Sequence, residues 1–213
     1  MRRRTLNSAT GAVTAVALCS GAWLLHNGAG PGPPPQPSAA QAASASASAG
    51  TGIGPAPASS ALPPSPPDRI RIPSIRVDAP LMGLGLTRQG SLDVPPPNKT
   101  HLAGWYESGT TPGEPGTAIV AGHVDNAEGP SVFYDLGGLT KGRTIEVERR
   151  DGSVAVFTVD ANEVYAAKNF PDEKVYGAAD RPELRVITCG GTYSRKTGYE
   201  GNVVVFAHLT SVR

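Results

Sequence analysis

Three side chains stand where a folded chain could present them together. Cys189 follows the run Leu184 to Thr188, His123 follows Thr117 to Gly122, and Arg195 lies in the turn-rich stretch before the run Asn202 to Ala207. A thiol becomes a competent nucleophile when a neighbour removes its proton or stabilises the thiolate, and histidine suits that task because its pKa lies near neutrality. Gly190 and Gly191 come directly after the cysteine. They leave the backbone free to approach a substrate and to aim an N–H at a developing oxyanion. The chemistry this points to is acyl transfer through a thioester. Three other histidines, His26, His101 and His208, have poorer surroundings; His123 is preceded by Gly122 and followed by the polar pair Asp125-Asn126. The residue types alone also admit a buried, inert Cys189 and a His123 that caps a strand in solvent. One cysteine and scattered histidines have no zinc-ligand spacing. There is no Gly-rich phosphate loop, no paired carboxylates and no Gly-x-Ser-x-Gly elbow, so neither cofactor nor metal is expected.

The elements that must carry these residues read as short period-2 runs between Gly, Pro and Asp turns, the pattern of an all-β domain from Asp68 onward. Arg69 to Ile72 alternates and stops at Pro73. Thr144 to Arg149 and Ser153 to Val159 flank Asp151-Gly152, a hairpin signal that pairs them antiparallel. Thr117 to Ala121, Leu184 to Thr188 and Asn202 to Ala207 are further strands, the last apolar enough to be central. Seven or eight strands of this length imply a barrel or sandwich. One helical turn or two is expected around Asp172 to Ala179, after Pro171. On this reading His123 and Cys189 sit at strand ends, which share barrel rims.

The rest of the chain has other properties. Residues 1–27 open on Arg2, Arg3 and Arg4 and run into the apolar stretch Ala9 to Leu25, an export signal or a membrane anchor with its basic tip in the cytoplasm. No clear small-x-small cleavage site follows Leu25, which favours a retained anchor. Residues 28–67 are almost entirely Gly, Pro, Ala, Ser and Gln; they cannot bury a core and read as a disordered extracellular linker. About 145 residues remain for residues 68–213, enough for one domain and too few for two. The formal net charge of the 213 residues is +1, with no basic cluster beyond the first residues. Nucleic acid is therefore not an expected partner. Cys19 and Cys189 lie in segments that one fold could hardly bring together, so no internal disulfide is expected, and in an oxidising compartment Cys189 is a lone thiol.

Ile70-Arg71-Ile72-Pro73-Ser74-Ile75-Arg76-Val77-Asp78-Ala79-Pro80, Ala121-Gly122-His123, Phe133-Tyr134-Asp135-Leu136 with Leu139 and Lys141-Gly142, and Leu184 to Cys189 together resemble the successive signatures of sortases. Cys189-Gly190-Gly191 with the closing Asn202 to Ala207 looks most like the actinobacterial branch called class F. The resemblance implies an eight-stranded β-barrel. It also implies a cysteine transpeptidase that cleaves a Leu-Pro-x-Thr-Gly type sorting signal between Thr and Gly and transfers the protein to a cell-wall amine. Its partners would be secreted proteins carrying that signal, the amine acceptor of the cell-wall precursor, and a membrane entered through the N-terminal segment. Cys189 would be the nucleophile, His123 the acid/base, and Arg195 the arginine of the site, with Thr188 and Gly190 contacting the substrate. Sortases often place that arginine at the start of the last strand, where this chain has Asn202, and Arg185 is a rival for the role. A tethered extracellular β-barrel binding module and another cell-wall cysteine peptidase are the alternative readings.

Overall fold

A computed structural model describes residues 32–43 and 61–213. The apolar stretch Ala9 to Leu25 lies outside the described residues. The alternating runs become strands: β1 (Pro67–Ile72), β2 (Val77–Leu84), β3 (Ala103–Tyr106), β4 (Gly116–Ala121), β5 (Asp125–Asn126), β6 (Gly129–Pro130), β7 (Thr144–Arg149), β8 (Val154–Ala166), β9 (Pro182–Ser194) and β10 (Gly198–Val212). The one α-helix among the described residues, α1 (Asp172–Tyr176), falls where Pro171 and the acidic first turn lead it to be expected. Eight strands close a barrel in the order β1-β2-β3-β4-β9-β10-β8-β7, and β5 pairs with β6 as a separate ribbon. The fold is therefore the all-β barrel that the period-2 pattern and the resemblance imply. At the β7–β8 hairpin Gly152 takes a φ of 86°, the left-handed value that the Asp151-Gly152 turn needs.

Alternation sends Ile70, Ile72, Val147, Phe157, Leu184, Val186, Val203 and Val205 into the barrel, all at 1 % exposure or less. Residues on the opposite faces of β4, β8, β9 and β10 are also buried: Ile119, Ala161, Ile187, Val204 and Phe206 pack under the connection that carries Phe170 and Val175. Burial on both faces explains why these strands read as nearly continuous apolar runs. Two pairings were not legible in the sequence: β2 with β3 and β4 with β9 are parallel.

Three expectations need correction. β9 does not stop before Cys189; it continues through Gly190 and Gly191 to Ser194, because β10 extends far enough to pair with it. Cys189 therefore lies within a strand and Arg195 at a hairpin tip, where an open loop was expected. The folded unit also begins before Asp68. Ser65 is 5 % exposed. Its N–H donates to Thr111 Oγ1 at 3.0 Å, the Leu62 N–H donates to the Gly113 carbonyl at 2.8 Å, and Arg149 Nη2 donates to the Pro63 carbonyl. Finally, residues 34–43 of the expected disordered linker belong to the same compact unit as the barrel.

These contacts give a test. A chain beginning at Asp68 strips the buried Arg149 guanidinium of an acceptor and uncovers the surface under Leu62. Removing an acceptor from a buried charged donor costs about 3 kcal/mol, which is roughly 5–10 °C in melting temperature for a domain of this size. A chain beginning at Ala61 should keep that stability. Equal melting curves for the two would show that residues 61–67 contribute nothing.

Candidate active site

The parallel ladder between β4 and β9 sets the site. Ala121 pairs with Ile187, and the Gly122 N–H donates to the Ile187 carbonyl at 3.2 Å. Thr188, 4 % exposed, donates its hydroxyl to the Gly122 carbonyl at 2.8 Å. His123 and Cys189 each stand two residues past the Ala121–Ile187 pair, so they leave adjacent strands at the same level. Adjacent strands run about 4.8 Å apart. Gly122 is required here: a β-carbon on it would meet Phe133 and Val132 side-chain atoms at 2.7 Å. Thr188, expected to contact substrate, instead has its hydroxyl committed to this clamp.

His123 Nε2 is 2.7 Å from the Pro95 carbonyl. A carbonyl only accepts, so Nε2 carries a proton, and Nδ1 is the ring nitrogen left for other partners. The Phe133 N–H holds the His123 carbonyl at 3.0 Å, and Asn126 Nδ2 reaches the Pro97 carbonyl at 3.0 Å. The loop between β2 and β3 therefore orients the imidazole through Pro95, and Asn126 of β5 holds the same loop through Pro97. Neither Pro95 nor Pro97 has a sequence signature for this role, since each acts only through its carbonyl.

Cys189 is a free, exposed cysteine. The flanking strands still desolvate its sulphur enough to push the thiol pKa up, and the charge of Asp125 adds to the rise. Cys189 therefore rests as a thiol, and to act as a nucleophile it would need a cationic or basic partner. Asp125 also accepts a 2.5 Å hydrogen bond from the Tyr199 hydroxyl. Tyr199 packs against Tyr193 with ring centroids 5.0 Å apart. This contact ties the base of the β9–β10 hairpin to the segment just after His123, across the mouth that holds Cys189. Tyr199 has no sequence signature for this role, and Asp125 reads from the sequence only as a polar neighbour of His123.

Asn substituted for Asp125 keeps an oxygen for the Tyr199 hydroxyl and removes the charge. The thiol pKa should then fall, so the pH profile for alkylation of Cys189 by iodoacetamide should move to lower pH, with faster labelling at neutral pH. A superimposable profile would show that Asp125 does not reach the thiol electrostatically.

Gly190, expected beside the substrate, packs closely against β10: a β-carbon on it would meet Val203 Cγ2 at 2.6 Å. Gly191 takes a φ of 79°, and the β9–β10 register shifts between Tyr199 and Gly201, so the hairpin bends just past the thiol. Arg195 lies at the tip. The turn there is closed by Ser194 Oγ, which accepts from the Lys196 and Thr197 N–H groups at 3.2 and 3.1 Å. The ladder alone would put Arg195 six residues, roughly 20 Å, beyond Cys189. The structure brings His123 and Cys189 together; among the described residues Arg195 has no hydrogen bond or ion pair to either. Arg185, 6 % exposed, is bound to Glu183 at 2.7 Å and lies over the Phe206 ring at 4.7 Å. Asn202 pairs with Cys189 across the ladder.

A cavity of about 860 Å³ runs along the outer face of β4 below His123, lined by Ile119, Thr117, Tyr106, Leu86, Leu92 and Tyr176 among others. Its wall mixes apolar side chains with polar ones such as Ser91, Thr110 and Asp172, and Ile119 places it on the outer face of β4.

The sequence model of the Sortase domain matches residues 70–210. In structure, the chain is similar to sortase A of Listeria monocytogenes, at 19 % identity and a TM-score of 0.50, over 68 % of this chain and 87 % of that one. It is similar also to sortase C-1 of Actinomyces oris, at 20 % identity and a TM-score of 0.51, over 67 % of this chain and 72 % of that one. No curated protein matches it in sequence.

Proposed function

The chain belongs to the sortase family and is a cysteine transpeptidase, and on that premise we propose that it cleaves a Leu-Pro-x-Thr-Gly type signal between Thr and Gly and passes the acyl group to a cell-wall amine. The observation that carries the reading is the β4–β9 register, which sets His123 and Cys189 side by side, four residues past the Ile119 that lines the cavity. The distances suit such a signal. Its leucine lies three residues before the scissile carbonyl, roughly 10 Å in an extended peptide, and Ile119 pairs with Arg185, four residues or roughly 13 Å below Cys189. A leucine side chain therefore reaches the cavity when the threonine carbonyl is at the thiol.

In this reading Cys189 gives its thiol proton to His123 and attacks the threonine carbonyl, and the Thr–Gly bond breaks as the thioester forms. His123 gives a proton to the departing glycine amine, and an incoming amine, deprotonated by the same ring, releases the product. Arg195 offsets charge on the carbonyl oxygen from the bent hairpin. The Cys189-Gly190-Gly191 run and the closing strand favour the class F branch. The basic tip and apolar stretch of residues 1–27 favour a single-pass anchor with the barrel outside the membrane, among secreted substrates.

The test is a set of peptides varied at each position of the signal, with a small amine as acceptor and mass spectrometry of the enzyme during turnover. The expected result is a thioester adduct on Cys189 carrying the Leu-Pro-x-Thr fragment, together with amine-dependent product. Cleavage at another bond, or turnover with no acyl-enzyme, would refute the proposed specificity.

A further inference from the structure

The segment 34–43 has the composition of a spacer, yet it lies against the barrel by specific contacts. Gln36 Oε1 accepts the Gly191 N–H at 2.9 Å, two residues past the nucleophile. Gln41 Oε1 accepts the Lys141 N–H at 2.8 Å, Lys141 Nζ donates to the Ala42 carbonyl, and the Ala43 N–H donates to Glu163 Oε1 at 2.8 Å. The Pro35 backbone lies directly on Gly137: a β-carbon there would stand 1.9 Å from the Pro35 carbonyl oxygen, and the other nearest atoms also belong to Pro35 and Gln36.

These features describe a receptor and its occupant. Gly137 and Gly138 form a floor without side chains, which admits a backbone already extended by proline. Lys141, Glu163 and the Gly191 N–H supply polar partners that uncharged amides and carbonyls can meet. The Pro33-Pro34-Pro35 run is pre-set in extended geometry, so docking costs it little conformational entropy. No residue of 34–43 is fully buried. The attachment is thus a few hydrogen bonds on an open surface, suited to release. The Gly191 N–H is available for capture because the register shift between Tyr199 and Gly201 interrupts the β9–β10 ladder there.

We infer that the surface formed by Gly137, Lys141, Glu163 and Gly191 is a docking site for an extended, uncharged, proline-led peptide, occupied in cis by residues 34–43, and that this occupancy restricts the approach to Cys189 from the hairpin side. The docking does not depend on the proposed substrate specificity; only its effect on turnover does.

Two variants of the full chain separate the docking from the barrel. Gly137→Ala puts a methyl group where Pro35 lies, at a glycine without positive φ. Gln36→Ala removes the bond to Gly191 from an exposed position in the strap. Hydrogen exchange over residues 188–194 and labelling of Cys189 by a bulky maleimide are the readouts, with melting temperature measured alongside. Both variants should raise exchange at Gly191 by about tenfold and labelling by about threefold or more, as local release predicts. A synthetic peptide of residues 33–43 should reverse both effects in Gln36→Ala and neither in Gly137→Ala, whose site is blocked. Should Gln36→Ala exchange and label within about twofold of the unaltered chain, the inference is overturned. If exchange and labelling respond while no form of the protein turns over a sorting peptide, the docking site stands and the specificity reading falls.

Discussion

Cys189→Ala is expected to abolish both cleavage and transfer, and His123→Ala to lower turnover by about a hundredfold or more, the usual cost of a lost acid/base group, while leaving a thiol that still alkylates. The two variants report on different steps. Without the sulphur no acyl-enzyme forms, so mass spectrometry should detect no adduct. Without the imidazole the thiol still occupies its place on β9, but the leaving amine has no proton donor. The other described histidines cannot substitute equally. His208 Nδ1 is bound to Asp160 at 2.8 Å, and His208 pairs with Glu183, six residues or roughly 20 Å from Cys189 along β9. Only His101, in the loop between β2 and β3, retains freedom to approach. Near-normal turnover in His123→Ala would transfer the role there, and a His101→Ala, His123→Ala double variant would decide it.

Arg195→Ala is expected to cut peptide turnover by at least tenfold with a melting temperature within a few degrees of the unaltered protein, because an exposed hairpin tip contributes little to stability. Arg185→Ala should do the reverse. Its guanidinium is nearly buried, ion-paired to Glu183 and packed over Phe206. Its loss leaves Glu183 short of a partner and an apolar ring uncovered, about 3 kcal/mol for a broken buried pair. For a domain of this size that is roughly 5–10 °C in melting temperature. Full turnover in Arg195→Ala would leave the oxyanion to backbone N–H groups or another side chain, with Asn202, the ladder partner of Cys189, the next residue to replace.

Strands that bury one face were legible because alternation is local: Thr144–Arg149 begins and ends where the sequence pattern does. The end of β9 was not, because Gly190 and Gly191 look like a turn until β10 is seen to continue beside them. The choice of His123 and Cys189 needed only residue type and neighbourhood. Their supports needed the fold. Asp125 and Tyr199 are 74 residues apart, and Gln36 lies 155 residues from Gly191. No local pattern links such pairs. The strap was the least legible part, since Pro, Ala and Ser carry no hydrophobic period. Its docking depends on bare backbone at Gly137 and on single amide groups.

The parallel pairing of β4 with β9 also dictates an order of events. These strands are joined through β5 to β8 and α1, so their contact closes a long loop, the slowest kind of step in folding. The β7–β8 hairpin joins neighbours in sequence; the pair His123 and Cys189 does not. His123 and Cys189 meet only once β9 has paired with β4. A chain in which β4 and β9 have not yet paired therefore carries a thiol without its partner, and activity should appear in refolding only with the phase that forms this pairing.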